Sequence, residues 1–81
     1  MSESEEQREM TYGEKAVGLT FNPGGSAAVT TIKVAYAMLI DDLNEIRQGS
    51  DDPEVKRMAS VAITEAQTSQ MWAVKAITWA Y

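Results

Sequence analysis

The second quarter of the chain carries a pattern that fits one kind of structure. Between residues 26 and 47, apolar side chains recur at alternating spacings of three and four. They are Val29, Ile32, Tyr36, Leu39, Leu43 and Ile46. This spacing places all six on one side of an α-helix, whereas a β-strand repeats every two residues. Ala28, Ala35, Ala37 and Ile40 widen this apolar side. The pattern therefore predicts a helix of about 33 Å, at 1.5 Å per residue, with one side packed against another element.

Local signals bound this helix on both sides. Before it, the segment 20–26, TFNPGGS, contains Pro23 and two glycines and ends at Ser26, a good N-cap. After it, the segment QGSDDP contains Asp52 as a second N-cap and Pro53, a residue favoured at the first position of a helix. The two loops predict a helix on either side of the long one.

The first of these flanking helices is expected over 2–19, with Ser2 or Ser4 as its N-cap. Its N-terminal part, residues 1–12, is acidic, and we expect it to be partly frayed. Gly13 and Gly18 lie inside this range, and each costs about 1 kcal/mol in a helix interior relative to alanine.

The last helix is expected over 53–81. It carries a stripe of mostly small apolar residues, which are Val55, Met58, Ala62, Ala66, Ala73, Ile77 and Ala80. From Met71 onward the segment is apolar on nearly all sides, and such a helix must be covered on nearly all sides. Trp72, Trp79 and Tyr81 are therefore expected to meet other copies of the chain, unless the first helix folds back over them.

Composition limits what the chain can do. It has 81 residues, 7 basic and 12 acidic, with no His, no Cys and a net charge of −5. This length predicts one domain, residues 1–81, and the missing His and Cys exclude thiolate metal sites, disulfides and a histidine base. The acidic balance argues against binding DNA or RNA, and no apolar run is long enough to cross a membrane. A soluble, reducing compartment is the expected location.

The loop before the long helix is the best ligand candidate. Its glycines bring backbone amides close to a ligand, and these amides lead into the free N-terminus of a helix, which favours anions. Lys33 is the only basic residue between Lys15 and Arg47, and Phe21, the only phenylalanine, offers a ring that can stack on a base. The alternative is an ordinary turn, with Phe21 in the core and Lys33 in solvent.

Two segments resemble a known family. One is GEKAVGLTFNPGG at 13–25, leading into VTTIKVAYAMLIDDL at 29–43, and the other is SVAITEAQTSQMWAVKAITW at 60–79. The distinctive residues of the second are Ala62, Thr64, Met71, Trp72, Val74, Lys75 and Ala76. Over most of the chain after residue 12, the sequence resembles the phage anti-CBASS sponge proteins (anti-CBASS protein two) and the helical hairpin of an anti-Thoeris sponge.

The resemblance implies an all-α helical hairpin that assembles as a homohexamer, with no enzymatic activity and no cofactor. It implies sequestration of cyclic dinucleotides such as cyclic GMP-AMP, second messengers of bacterial antiphage defence, in the cytoplasm of the host bacterium. In this family a ring stacks on the bases and a lysine meets the phosphates, in pockets between protomers. By position the lysine is Lys33 and the ring is Phe21, with Tyr12 as the alternative. The residues expected to shape the loop are Asn22, Gly24, Gly25 and Ser26.

A second pocket in this family holds cyclic trinucleotides and uses an Arg-Thr pair early in the last helix. The corresponding residues here are Ile63 and Thr64, so the threonine is retained and the arginine is absent. The resemblance therefore favours dinucleotides and leaves Thr64 as the candidate residue for a trinucleotide.

Two other interpretations remain open. The first is a protein–protein adaptor or structural oligomer whose loop binds nothing, with the acidic N-terminus and the Trp-rich last helix as partner surfaces. The second is an enzyme that degrades the messenger rather than hiding it.

Overall fold

The computed structural model describes residues 9–80, in which all regular secondary structure is helical. Helix α1 spans Tyr12–Val17, α2 spans Ala27–Gln48 and α3 spans Pro53–Ile77. Hydrogen bonds from Tyr36 to Ser69 and from Arg47 to Ser60 show that α2 and α3 run antiparallel as a hairpin. The predicted all-α hairpin with a short first helix is confirmed over these residues.

Helix α1 is shorter than predicted because a capping box starts it late and a glycine ends it early. The Thr11 hydroxyl accepts a bond from the Glu14 amide, and the Glu14 carboxylate accepts one from the Thr11 amide. Gly18 ends the helix in the left-handed conformation, with φ of 62°. Within the described residues, the expected helix over 2–19 is therefore wrong at 9–11 and at 18–19, which are not helical. The predicted caps Ser2 and Ser4 lie outside the described residues.

Gly13 explains how α1 docks on α2. Its amide donates to the Asp41 carboxylate at 2.7 Å, and a Cβ atom built there would lie 2.0 Å from the Ala37 carbonyl oxygen. The backbones of α1 and α2 are so close here that no residue with a Cβ atom fits at position 13, because real Cβ contacts below 3.0 Å are essentially absent. The glycine that the sequence treats as a cost to the helix is thus required for the helix to pack.

The long helices begin where predicted. The Ser26 hydroxyl accepts from the Val29 amide, and the Asp52 carboxylate accepts from the Glu54 amide, so each side chain satisfies a free donor of its helix. Helix α3 ends at Ile77 rather than continuing to 81, because Thr78 turns out of helical geometry and its hydroxyl donates to the Val74 carbonyl. Tyr81 lies outside the described residues.

The core uses only part of the side predicted for each long helix, and Tyr36 and Leu43 of the α2 stripe pack against it. The buried residues of α2 are Val29, Lys33, Ala37 and Ile40, and those of α3 are Ala59, Ile63, Ala66 and Gln70. Of the predicted stripe in α2 only Val29 is buried, while Leu39 and Ile46 are 47% and 54% exposed. The prediction is wrong for Leu39 and Ile46, because heptad spacing selects an apolar side but does not say which part of that side a partner covers.

The exposed members of the predicted stripes, Leu39, Ile46 and Met58, mark an uncovered surface, which we call the open face. Spacing of three and four residues puts Ile32, Leu39 and Ile46 on the same side of α2 as Tyr36, whose hydroxyl bonds to Ser69 of α3. That side of α3 carries the half-exposed Met58 and the partly buried Ala62 and Ala73, whereas Ala66 of the same stripe lies in the core. Helix α1 lies on the opposite side, where Gln67 donates to the Ala16 carbonyl.

The tryptophans are not covered by the first helix. Trp72 is 66% exposed and Trp79 is 77% exposed, because α1 packs mainly on α2 and touches α3 only lightly. The alternative to contact with other copies, that α1 folds back over the tryptophans, is therefore wrong within the described residues. No helix in this part of the chain is both long and apolar enough to cross a bilayer.

Candidate functional site

A groove of about 760 Å³ opens between the α1–α2 loop and the C-terminal part of α3. Its lining is mainly apolar, with a few polar groups. The lining residues are Phe21, Asn22, Pro23, Gly24, Ser26, Ala27, Val29, Lys33, Val74 and Thr78. Concave apolar surfaces with a few convergent polar groups are the usual form of small-molecule sites.

The loop on one wall is held in shape by its own hydrogen bonds. A turn over residues 22–25 closes when the Gly25 amide donates to the Asn22 carbonyl at 2.9 Å, with Pro23 in the turn and Gly25 at φ of 65°. The Asn22 side chain donates to the Ser26 carbonyl and to the Thr30 hydroxyl, and accepts from the Ser26 amide. Asn22 is therefore the residue that fastens the turn to the start of α2.

These bonds change the role expected for the loop amides. The amides of Gly25 and Ser26 donate to Asn22, and the Val29 amide donates to the Ser26 hydroxyl. A ligand anion therefore cannot use those three donors without breaking the turn or the cap. The glycines serve the shape of the loop: Gly25 adopts the left-handed conformation, and a Cβ atom at Gly24 would meet nothing within 4 Å.

Phe21 stands at the edge of the groove and is 72% exposed. Its amide donates to the Gly18 carbonyl at 2.9 Å, which fixes the backbone below the ring. The alternative expectation, that Phe21 packs in the core, is therefore wrong. An exposed ring on a fixed backbone beside a cavity is suited to stacking against a flat ligand.

Lys33 lies below the loop and is 5% exposed. Its ammonium donates to the carbonyls of Gly18 at 3.0 Å and of Phe21 at 2.5 Å, and lies 5.6 Å from the centre of the Phe21 ring. The alternative expectation, that Lys33 lies in solvent, is wrong, whereas its contact with a phosphate stays a prediction. Lys33 is not in solvent, and its ammonium, which has three donors, already uses two of them within the chain.

The structure brings most of the predicted site residues together. Phe21, Asn22, Gly24, Ser26 and Lys33 all line the groove, and Gly25 lies within the same turn.

Two predicted residues lie elsewhere in the protomer. The Tyr12 ring packs beside the Arg47 guanidinium, which is 5.3 Å from the ring centre and about 21 Å along α2 from Lys33. Thr64 is exposed on α3, about 15 Å along the helix before Val74. Its neighbour Ile63, which the resemblance aligns with an arginine, is 2% exposed and belongs to the core.

Sequence reasoning missed the wall supplied by α3. Val74 and Thr78 line the groove because the hairpin brings the end of α3 alongside the start of α2. Val74 belongs to the distinctive MWxVKA segment, but nothing in its spacing relates it to a loop some fifty residues earlier. This pairing is a consequence of the hairpin register.

The described residues offer little for metal or acid–base chemistry. They contain no group of three or more acidic side chains placed to hold a metal ion. At the start of α3, a hydrogen bond from Arg57 lowers the pKa of the Glu54 carboxyl and raises the pKa of the Arg57 guanidinium. This pair is exposed at the far end of the hairpin from the groove, so it belongs to the surface rather than to a reaction centre.

One comparison with known proteins identifies the chain's relatives. The family model described as "Acb2/Tad1, hairpin domain" matches residues 14–78, a range that includes all three helices except the first two residues of α1. No curated protein and no solved structure gives a significant match. The family is associated with sponge-type anti-defence proteins, and it implies non-catalytic binding of small signalling nucleotides by an oligomer. The resemblance seen in the sequence is confirmed, and the chain belongs to the Acb2/Tad1 hairpin family.

Proposed function

We propose that this protein is a phage-encoded sponge that binds cyclic dinucleotides in the groove and holds them without degrading them, in the cytoplasm of the infected bacterium. The observation that carries the proposal is the exposed Phe21 ring beside a groove of about 760 Å³, with the Lys33 ammonium buried under the same loop. The family supplies the class of function, and the groove supplies a place for the ligand.

The chemistry of the groove suits a nucleotide. Phe21 is placed to stack on a base, an interaction worth about 1–3 kcal/mol per base. Apolar walls from Pro23, Val29 and Val74 can enclose a base and exclude water. The Asn22 and Thr78 side chains add polar groups at the lining, and the charge of Lys33 favours a phosphate nearby.

The net charge does not oppose this function. The chain is acidic overall, at −5, but among residues 9–80 Lys33 is the only charged side chain that lines the groove. A local positive charge in an otherwise apolar groove attracts an anion without a basic surface, because the apolar walls reduce screening. Binding to nucleic acid backbones, which needs a broad basic surface, stays disfavoured.

The proposed sponge is a homo-oligomer, with a hexamer as the expected assembly. The described part of the protomer is a layer only 13 Å thick, with α1 on one side and the open face on the other. Leu39, Ile46 and Met58 are each about half exposed there, and a second copy would cover them. A cyclic dinucleotide has near-twofold symmetry, so two copies can present Phe21 and Lys33 to its two halves.

Cyclic trinucleotides are the less favoured ligand. The buried Ile63 supplies no charge at the position where the family uses an arginine, although the neighbouring Thr64 hydroxyl is exposed. We therefore expect tighter binding of dinucleotides than of trinucleotides.

Isothermal titration of the purified protein with cyclic GMP-AMP tests the proposal, followed by heat denaturation and chromatography of the released ligand. We expect saturable binding and recovery of the intact dinucleotide. Absence of heat at micromolar protein, for cyclic GMP-AMP and for a panel of cyclic di- and trinucleotides and cyclic ADP-ribose isomers, would reject a sponge for these messengers. Recovery of linear products would indicate the degrading enzyme instead.

A protein–protein adaptor is the second candidate, and the exposed tryptophans favour it. Trp72 and Trp79 are seven residues apart and lie on one side of α3, facing away from the core. Native mass spectrometry of protein purified from infected cells separates the two functions. A nucleotide-sized adduct supports the sponge, and a co-purifying polypeptide at fixed ratio without such an adduct supports the adaptor.

A further inference from the structure

The Lys33 ammonium is tied to the backbone of the loop that carries the candidate stacking ring. Its two acceptors are the carbonyl of Gly18, which ends α1, and the carbonyl of Phe21 itself. The Gly18 carbonyl also accepts from the Phe21 amide, which closes a turn over residues 18–21. The first and last carbonyls of this turn both accept from the Lys33 side chain of α2. The position of Phe21 relative to α2 is therefore fixed through Lys33.

This arrangement explains why a lysine is buried at a core position of α2. A buried ammonium is costly unless its donors are satisfied, and hydrogen bonds that involve a charged group are stronger than neutral ones. A carbonyl oxygen has two lone pairs, so the Gly18 carbonyl can accept from the Lys33 ammonium as well as from the Phe21 amide. The Gly18 and Phe21 carbonyls together satisfy two of the three donors of the buried ammonium.

We propose that Lys33 is the positioning residue of the groove: its ammonium binds the Gly18 and Phe21 carbonyls and so holds the Phe21 ring at the groove wall. The consequence for ligand binding depends on the proposed function, whereas the ordering of the loop does not. In this role Lys33 contributes to affinity through Phe21, in addition to any charge that it presents to a phosphate.

A double-mutant cycle separates positioning from direct contact. Lys33→Met keeps an apolar side chain of similar length and removes the donors, and Phe21→Ala removes the ring. If Lys33 acts through Phe21, Lys33→Met weakens binding of cyclic GMP-AMP about tenfold in the wild-type background and less than about threefold in the Phe21→Ala background. Equal losses in the two backgrounds would show that Lys33 contacts the ligand independently, and would overturn the proposal.

Lys56→Met is the matched control. The Lys56 ammonium also donates to a backbone carbonyl, that of Arg47 at 3.1 Å, but it is exposed and lies near the hairpin turn. This variant removes the same charge and a similar bond away from the groove. We expect its affinity for cyclic GMP-AMP to equal that of the wild type in both backgrounds. A loss as large as that of Lys33→Met would mean that net charge, not position, sets the affinity.

A ligand-free measurement keeps the two proposals distinguishable. NMR order parameters and amide exchange rates of residues 18–26 are compared between the wild type and Lys33→Met, with circular dichroism to verify that the helices remain. We expect lower order parameters and faster exchange in the variant, confined to these residues. Unchanged loop dynamics would overturn the positioning role, whether or not any nucleotide binds. Failure of the wild type to bind nucleotides, with a loosened loop in the variant, would reject only the proposed function.

Lys33→Arg covers the case in which Lys33→Met fails to fold. The guanidinium keeps the charge and several donors, so it can reach the same two carbonyls. We expect loop order and affinity closer to the wild type than to the methionine variant. An arginine variant that is folded and charged but has a disordered loop and unchanged affinity would contradict the proposal.

Discussion

Helix α2 carries a basic side chain beside an aromatic ring at each of its ends, and the two pairs differ in what they hold together. The Arg47 guanidinium lies 5.3 Å from the Tyr12 ring centre, and the Lys33 ammonium lies 5.6 Å from that of Phe21. Arg47 donates to the side chains of Asn44 and Ser60, so it joins α1, α2 and α3. Lys33 donates to backbone carbonyls of a loop beside an open groove.

The difference separates a structural pair from a candidate binding pair. At the Arg47 end, the cation is only partly buried and its partners are side chains from three helices. At the Lys33 end, the cation is buried and the ring is left 72% exposed, against 44% for Tyr12. The same chemistry therefore joins three helices at one end and leaves an exposed ring beside the groove at the other.

Breaking the docking of α1 disturbs both pairs at once and has the largest expected effect. Tyr12 is the first residue of α1, and Lys33 binds the carbonyl of its C-cap, Gly18. A side chain at Gly13 collides with the Ala37 carbonyl, so Gly13→Val should lower the free energy of unfolding by about 3 kcal/mol in urea denaturation. Gly24→Ala is the control, with a change within about 0.5 kcal/mol, because a Cβ atom there meets nothing within 4 Å. Equal effects of the two variants would contradict the docking role of Gly13.

Removing the rings one at a time tests which pair faces the ligand. Phe21→Ala should weaken binding of cyclic GMP-AMP by about 1–3 kcal/mol for each base that it stacks on, measured by isothermal titration. Tyr12→Ala should leave the affinity unchanged, because Tyr12 lies near the hairpin turn, away from the groove of its own protomer. The reverse result would assign the stacking ring to Tyr12 and place it in the groove of a neighbouring copy.

Removing the Arg47 cation tests whether the Arg47–Tyr12 pair contributes to stability rather than to ligand binding. Arg47→Met should lower the free energy of unfolding by about 1–2 kcal/mol, because the Asn44 and Ser60 side chains lose their charged donor and Tyr12 loses its cation. Thermal and urea denaturation measure this effect. The affinity of the folded variant for cyclic GMP-AMP should match the wild type, and a tenfold loss would show that the two ends of α2 are coupled.

The exposed Glu54–Arg57 pair, near the Arg47 end, gives the smallest expected effect. Its hydrogen bond lowers the pKa of Glu54, so the stabilisation is present above the ordinary carboxyl pKa and is lost as the pH falls through the lowered value. Arg57→Gln should slightly lower the melting temperature at neutral pH and not at all in acid, and should raise the pKa of Glu54 in an NMR titration. A difference in stability that persists below the pKa of Glu54 would exclude this ion pair as its cause.

The sequence alone predicts the helices and most of the groove residues of the α1–α2 loop, because the signals for them are local. Ser26 and Asp52 precede the long helices as N-caps, because their side chains accept bonds from free amides of the first turn. Pro53 suits the first position of α3, because its missing N–H costs nothing there. Phe21 and Lys33 were selected as the only ring and the only cation near a glycine turn, and both line the groove.

The arrangement of those elements was not readable in the same way. Helical spacing includes Leu39 and Ile46 in the packed side of α2 along with Ala37 and Ile40. In the structure Leu39 and Ile46 are about half exposed, and Lys33 is buried with Ala37 and Ile40. A lysine among buried residues has no apolar signature, so periodicity counts it as surface. The burial of Lys33 depends on two loop carbonyls that only the folded chain brings to it.

The amino-acid sequence by itself determined that this protein is helical, where α2 and α3 begin, and which family it resembles, because caps, breaks and periodicity act within a few residues. The tertiary structure decided the length of α1, which part of each apolar side is buried, and the wall that Val74 and Thr78 add to the groove. It also shows that Gly13 allows α1 to pack closely on α2, and that Lys33 binds a carbonyl of the α1–α2 loop. Those features depend on contacts between segments far apart in the chain, and helical spacing carries no information about which segments meet.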